Sequence, residues 1–299
     1  MAMSAVKNWF GRPGKPVAPP PPRAVADIPP TTSRDEAPAA PAKPAWTPER
    51  LVITDTLWGE GYHSPGGEIE VLRLTKPMGL SAASTLLLLG AGAGGASCSL
   101  ATRLGVWVNG FETDPQLAAA AVERIAHKNL SKRAQIETWN PETAVFREKF
   151  HHHGLVLEAL NGARPEPALA AIAATLKPNA QLSLVELVAD TPLDPHDPAV
   201  ATWARLEHRD PAALPAETAI TRILGRLGFD VRVTEDMSQR HMHQALTGWR
   251  AAVRGMGHVA PSRREALSYV NEAELWLFRL RLLQLGRLRL IRWHAIKGG

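Results

Sequence analysis

The sequence holds one cysteine, Cys98, in 299 residues. An internal disulfide framework is therefore excluded, and no spaced set of Cys and His resembles a zinc site. A reducing compartment, the cytoplasm, is the expected location. Residues 1–13 lack the uninterrupted apolar stretch of a secretory signal. No later segment supplies the roughly 20 uncharged apolar residues that span a bilayer, so no transmembrane segment is expected. Acidic residues are scarce toward the C-terminus: residues 240–299 hold eleven Lys or Arg against three Asp or Glu, a net of +8. The whole chain carries +5, which leaves about −3 for everything before. Such a basic segment could meet nucleic acid, anionic lipid or an acidic protein partner. Arginines flanking an amphipathic helix and a surface strand are the plainer reading, and nucleic acid is not expected as a partner.

What is present is apolar enough to fold, with 45% hydrophobic residues. Proline is unevenly placed. Twelve of the 25 fall in the first 48 residues, including the run Pro19-Pro20-Pro21-Pro22. A stretch so rich in Pro, Ala and polar residues buries too little surface to order itself. Residues 1–46 read as a disordered tail of polyproline character, a second candidate for a protein contact through Trp9-Phe10.

From Trp46 onward short apolar runs alternate with helical stretches, the pattern of strand-helix repeats that build a mainly parallel sheet. Thr85-Leu86-Leu87-Leu88-Leu89 is apolar on both faces, as a central parallel strand covered on each side must be. Further strands are expected at Trp107–Glu112, Ala134–Trp139, Gly154–Leu160, Gln181–Val188, Phe229–Glu235 and Arg287–Ala295. Helices are expected from near Ser97, and over Pro115–Asn129, Pro167–Leu176, Pro215–Leu227 and Arg264–Leu285. The fold class is α/β, a Rossmann-like sheet of seven mostly parallel strands with helices on both faces and an antiparallel last strand.

The first strand stops at a glycine turn, Gly90-Ala91-Gly92-Ala93-Gly94-Gly95. Glycines there let the backbone turn sharply while the next helix directs free N–H groups outward, which suits a nucleotide-like ligand. Gly90, Gly92 and Gly94 give G-x-G-x-G; Gly90, Gly92 and Gly95 also satisfy the dinucleotide pattern G-x-G-x-x-G. Glu112 lies 22 residues beyond Gly90 at the end of the second strand, where an acid accepts hydrogen bonds from ribose hydroxyls. No pair of residues suited to relaying a hydride is evident, which disfavours a nicotinamide enzyme.

With these features in order, residues 56–297 resemble the class I S-adenosylmethionine (SAM) methyltransferases, in particular the phosphoethanolamine and glycine/sarcosine N-methyltransferases. The resemblance is carried by Trp58-Gly59-Glu60-Gly61-Tyr62-His63-Ser64-Pro65-Gly66-Gly67, the glycine turn, Gly110-Phe111-Glu112-Thr113-Asp114-Pro115 and Leu176-Lys177-Pro178. Leu227-Gly228-Phe229 and the closing Ile291-Arg292-Trp293-His294 complete it. It implies a methyltransferase-like domain over 47–299, with a cofactor-binding half at 84–190 and substrate-covering helices and last strands at 191–299. It also implies SAM as cofactor, held by Ser64, Gly90, Gly92, Gly94, Glu112 and Asn140, and methyl transfer to a small molecule such as an amine.

Departures from the family pattern set the alternative. Leu88 stands where the family usually has an acid near the cofactor's amino end, and Asn140 stands where an aspartate commonly meets the adenine. The family's histidine and arginine-aspartate positions find no match. Tyr62 and His63 are the candidates to shield the site or accept a proton, and a catalytically degenerate binding or regulatory subunit is the competing function. The triplet His151-His152-His153 cannot converge on one ion from adjacent positions, so no metal is expected. His241 and His243 fall in a helical context, on the surface or lining a substrate pocket. Trp203, Glu207, Trp249 and Trp276 fall in segments that cover the sheet edge in related enzymes.

Overall fold

Leu86, Leu87, Leu88 and Leu89 are each fully buried, and a strand can bury successive residues only when both of its faces are covered. Thr85–Leu89, here β1, is that strand. The computed structural model describes residues 45–160, 162–255 and 261–299. The expected tail lies outside the described residues except for Ala45 and Trp46.

Helices α1 (Pro48–Trp58) and α2 (Gly67–Thr75) precede β1, which is followed by α3 (Gly95–Leu104), β2 (Trp107–Glu112) and α4 (Pro115–His127). Then come β3 (Ala134–Thr138), β4 (His151–Leu157), α5 (Pro165–Thr175), β5 (Leu176–Val188), α6 (Pro198–Glu207) and α7 (Glu217–Arg226). β6 (Phe229–Asp236), α8 (Ser238–Gly255), α9 (Arg263–Gln284) and β7 (Arg289–Lys297) close the chain. The strands form one sheet in the order β3-β2-β1-β4-β5-β7-β6. The first five are parallel, and β7 runs antiparallel to both β5 and β6. This is the seven-stranded architecture that the apolar runs predict.

Alternation along β1 divides the core. Leu86 and Leu88 pack with α2, α3, α4 and α9, and Leu87 and Leu89 pack with α5 and α7. A third cluster of Ile53, Leu57, Trp58, Ala245, Ala252 and Trp276 joins α1, α8 and α9.

Several element ends differ from expectation for identifiable reasons. β4 begins at His151 and ends at Leu157, not Gly154–Leu160. Its histidines are accommodated by polar neighbours, while Glu158 has φ +48° and cannot continue the strand. The helix expected from Pro215 begins at Glu217, because the Pro215 carbonyl accepts from Ala189 N at 3.1 Å at the end of β5. α4 stops at His127, and Asn129 lies beyond it with φ +58°.

Candidate functional site

The chain leaves β1 toward β2 and β3 on one side and returns to β4 and β5 on the other, so the strand order reverses between β1 and β4. Open α/β sheets bind ligands at the carboxyl ends of the strands beside such a reversal. The glycine turn lies there. Gly90 has φ +74°, and a Cβ on it would stand 2.1 Å from the Leu157 carbonyl oxygen. Gly92 has φ +58°, and its missing Cβ is replaced by the His63 ring, with Nδ1 2.2 Å from that point. Both positions exclude any side chain. Gly94 serves packing instead, facing Ala121 of α4 and capping α3.

Glu112 ends β2 almost completely buried. Its Oε1 accepts from the amides of Thr113 at 2.8 Å and Asp114 at 3.2 Å and from the Thr113 hydroxyl. Among the described residues its Oε2 accepts only from Gly92 N, at 2.7 Å, which uses one of that oxygen's two acceptor sites. The carboxylate therefore ties the second strand to the glycine turn and retains capacity for a hydroxyl.

A clasp from α1 positions the segment before α2. Asp55 accepts from Gly61 N at 2.7 Å and from Arg124 Nη2 at 2.8 Å, and Arg124 also donates to the Ala93 carbonyl inside the glycine turn. This sets His63 and Ser64 over the turn. Burial pushes the His63 imidazole below its ordinary pKa, against the pull of Glu112 and Glu158. Trp46, assigned to the end of the tail, meets the edge of His63 at 6.0 Å and lies under the Arg50 guanidinium at 4.0 Å.

Two cavities adjoin at this edge and share His63, Ser64, Gly90, Leu157 and Glu158. One is charged: among the residues lining it, Glu112, Asp114, Glu158, Glu207 and Glu272 stand against Arg50, Arg209 and Arg279, five carboxylates to three guanidiniums. The other is mainly apolar, with walls from α2, β5, α8 and β7.

Behind the charged cavity lies an ion network that the sequence did not disclose. Arg279 of α9 grips Glu158 at 2.7 and 2.8 Å and Glu207 at 2.6 Å. Arg209 meets Glu207 at 3.1 Å, Glu158 at 3.2 Å and Glu186 at 3.3 Å. Burial alone would raise Glu158, but Arg279 and Arg209 outweigh it and hold the carboxyl at about 2. Burial dominates at Glu186 and pushes it up. The five members are spread from Glu158 to Arg279, so no local pattern joins them.

The remaining candidates separate. Tyr62 lines the apolar cavity, but its hydroxyl pairs with Ser99 Oγ at 2.6 Å, and burial raises its pKa to about 12. Asn140 is exposed, accepts from Glu142 N at 2.9 Å and lines neither of the two cavities. Leu88 is sealed in the core rather than filling the site. Trp139 packs on Phe146 at 5.9 Å. Trp203 is fully buried and donates to Glu207, Trp249 packs beside the third cluster, and Trp276 lines the charged cavity. His241 and His243 lie on α8, His241 buried against the apolar cavity and His243 exposed.

Five of the ten arginines in residues 240–299, Arg279 and Arg292 among them, are engaged with acids from earlier in the chain. Arg240 pairs with Glu70 and Glu235, Arg287 with Asp197, and Arg289 with Asp190, Glu217 and Asp236. Arg250, Arg254, Arg263, Arg264 and Arg281 are exposed. Among the described residues no group of His, Cys, Asp and Glu could hold a metal ion, and no helix is long and apolar enough to cross a membrane.

No protein-family model matches the sequence, and no curated protein is significantly similar to it. Solved structures are similar in shape. Phosphoethanolamine N-methyltransferase 2 of Haemonchus contortus, solved with SAM, superposes with a TM-score of 0.73 at 18% identity over 83% of this chain. This chain spans only 57% of that protein's length. Cyclopropane synthase MmaA2 of Mycobacterium tuberculosis gives a TM-score of 0.68 at 14% identity, over 84% of this chain and 94% of its own. A putative sarcosine dimethylglycine methyltransferase of Galdieria sulphuraria gives 0.63 at 14% identity, over 84% and 98%. The fold is that of the SAM-dependent methyltransferases. The reversal at β1 and β4, the glycine turn and the acid ending β2 are the parts of that fold that face the site.

Proposed function

We propose that the protein binds SAM above the glycine turn and transfers its methyl group to a small molecule. The observation that carries this reading is the Glu112 carboxylate, locked to Gly92 N at 2.7 Å on the wall of the charged cavity. Its Oε2 would accept the ribose hydroxyls. His63 and Ser64, on the border of both cavities, would lie beside the methionine end. The donor carries a net positive charge through its sulfonium and amine, and the surplus of two carboxylates around the cavity suits it. Leu88 removes the acid usual near the amine, and Glu158 is the carboxylate bordering both cavities.

SAM supplies the activated methyl group. Methyl transfer is an in-line displacement in which positioning is the main contribution of the protein. The Asp55–Arg124 clasp fixes the segment over the turn, and the Glu158–Arg279 pair ties α9 to the sheet edge. A second reading, a subunit of this fold that binds without catalysing, is favoured by Leu88 and by Asn140, which is exposed and lines neither cavity.

Calorimetry with SAM tests the first reading. We expect saturable binding, weakened by about 10–100-fold in Glu112→Gln as a charged hydrogen bond is lost. Absence of heat and of any thermal shift at millimolar SAM would overturn it. Methyl transfer by the isolated protein to a defined acceptor would exclude the second.

A further inference from the structure

The apolar cavity has chemistry of its own. Val71 and Leu74 of α2, Val185 of β5, Met237 between β6 and α8, and Leu290 of β7 form its walls, and among the described residues lining it there is no Lys or Arg. Its two carboxylates are committed. Glu70 accepts from Arg240 at 3.2 Å and from Gln244 at 2.8 Å, and Glu158 is held by Arg279 and Arg209. Three polar side chains of this wall have no such partner among the described residues: His63 and Ser64, which also border the charged cavity, and His241, which belongs to this cavity alone. His241 is 3% exposed, and neither ring nitrogen has a hydrogen-bond partner among the described residues, Nε2 being wholly enclosed. The ring leans on Trp276 at 5.6 Å and 45°.

Buried polar groups are nearly always hydrogen-bonded, so an imidazole with both donor and acceptor unused calls for a partner. Resting on the methyl-donor reading, we propose that this cavity takes the methyl acceptor, and that His241 positions it by a hydrogen bond. The acceptor is then a small, uncharged, mainly apolar molecule bearing one hydroxyl or N–H group. A phosphorylated acceptor needs a cation, and this wall offers none. The charged groups facing His241 are Arg279 and Glu158; burial first and Arg279 second push its pKa to about 3, against the pull of Glu158. His241 is therefore neutral at physiological pH and orients the acceptor without taking its proton; as the O–CH3 or N–CH3 bond forms, the donor's S–CH3 bond breaks, S-adenosylhomocysteine leaves, and the acceptor's proton passes to solvent.

The experiment is NMR of the full chain with 15N-labelled histidine, loaded with S-adenosylhomocysteine, and with His241 assigned through His241→Gln. Phenol, toluene and phosphoethanolamine are titrated separately. The expected result is a saturable shift of the His241 nitrogens by phenol alone, with phenol binding about tenfold weaker in His241→Phe. Three results overturn the proposal: no response to phenol, an equal response to toluene or phosphoethanolamine, or displacement of the His241 signals by S-adenosylhomocysteine itself with loss of the phenol response. If the cofactor product does not bind, the methyl-donor reading fails by itself, and the same phenol and toluene titrations without it decide whether His241 holds a ligand.

Discussion

The two ends of β4 are both crowded with ionisable residues, yet they differ in what those residues have left to offer. At the N-terminal end the His151 ring meets Thr175 at 2.8 Å and Asn109 at 3.2 Å, His152 meets Thr85 and Lys177, each at 2.8 Å, and His153 accepts from Gln181 N at 3.2 Å. Burial pushes all three imidazoles down. They are neutral groups that link β4 to its neighbours. At the C-terminal end Glu158 enters a network of full charges beside two cavities, and the buried Arg279 Nε and His241 Nε2 lack partners among the described residues. The conspicuous sequence cluster links strands, and the scattered residues border the candidate site.

The largest effect expected from this contrast is that of Arg279→Met, which removes the shorter of the two guanidinium contacts at both Glu158 and Glu207 and leaves Arg209 to serve them. Breaking a buried pair from one side costs about 3–5 kcal/mol, to be read from urea unfolding. Gly90→Ala follows. The positive φ alone costs about 1–3 kcal/mol, and the Cβ would meet Leu157 O, so we expect both a lowered unfolding midpoint and SAM affinity reduced by more than about tenfold, the margin that a 1.4 kcal/mol loss gives.

Next is a pH effect at the structural end. His151 titrates at about 4 in the folded chain against about 6.5 unfolded. The unfolded state binds more protons between those values, so this stabilisation is complete above about pH 6.5 and is lost as pH falls toward about 4. His151→Ala should flatten that part of the stability profile, measured by urea midpoints at about pH 7.5 and about pH 5. Smallest is His152→Ala, on a half-buried ring, with a cost under about 1 kcal/mol and unchanged SAM affinity. If His152→Ala weakened SAM binding more than Arg279→Met, the contrast between the two ends would be reversed.

Much of the fold was legible because its signals are local. β1 and β2 were placed to the residue, since an apolar run closed by glycine and an alternating run closed by an acid are both complete within a few positions. The capping signals of α1 and α6 were equally local and went unused: Thr47 accepts from Arg50 N, and Asp197 accepts from Ala199 N and Val200 N, each ahead of a proline. The site was only half legible. Glu112, His63 and Ser64 meet where the glycine turn implies, but Asn140 does not join them. Two-residue spacing left His241 and His243 ambiguous; on a helix it turns them to different sides, one buried and one exposed.

By itself the sequence determined the order of the seven strands and of α3, α4, α5, α7 and α9 among them, the turn at Gly90 and the acid at the end of β2, but not α1, α2, α6 or α8. Periodicity, glycine and a fixed spacing act over short stretches of chain, so their consequences follow without the fold. Only the tertiary structure decided that Glu158, Glu186, Glu207, Arg209 and Arg279 share one buried network, that His151 to His153 are structural, and that His241 faces a cavity. Those outcomes depend on which segments the sheet brings together, because burial and Coulomb attraction act through space between residues that are distant in sequence.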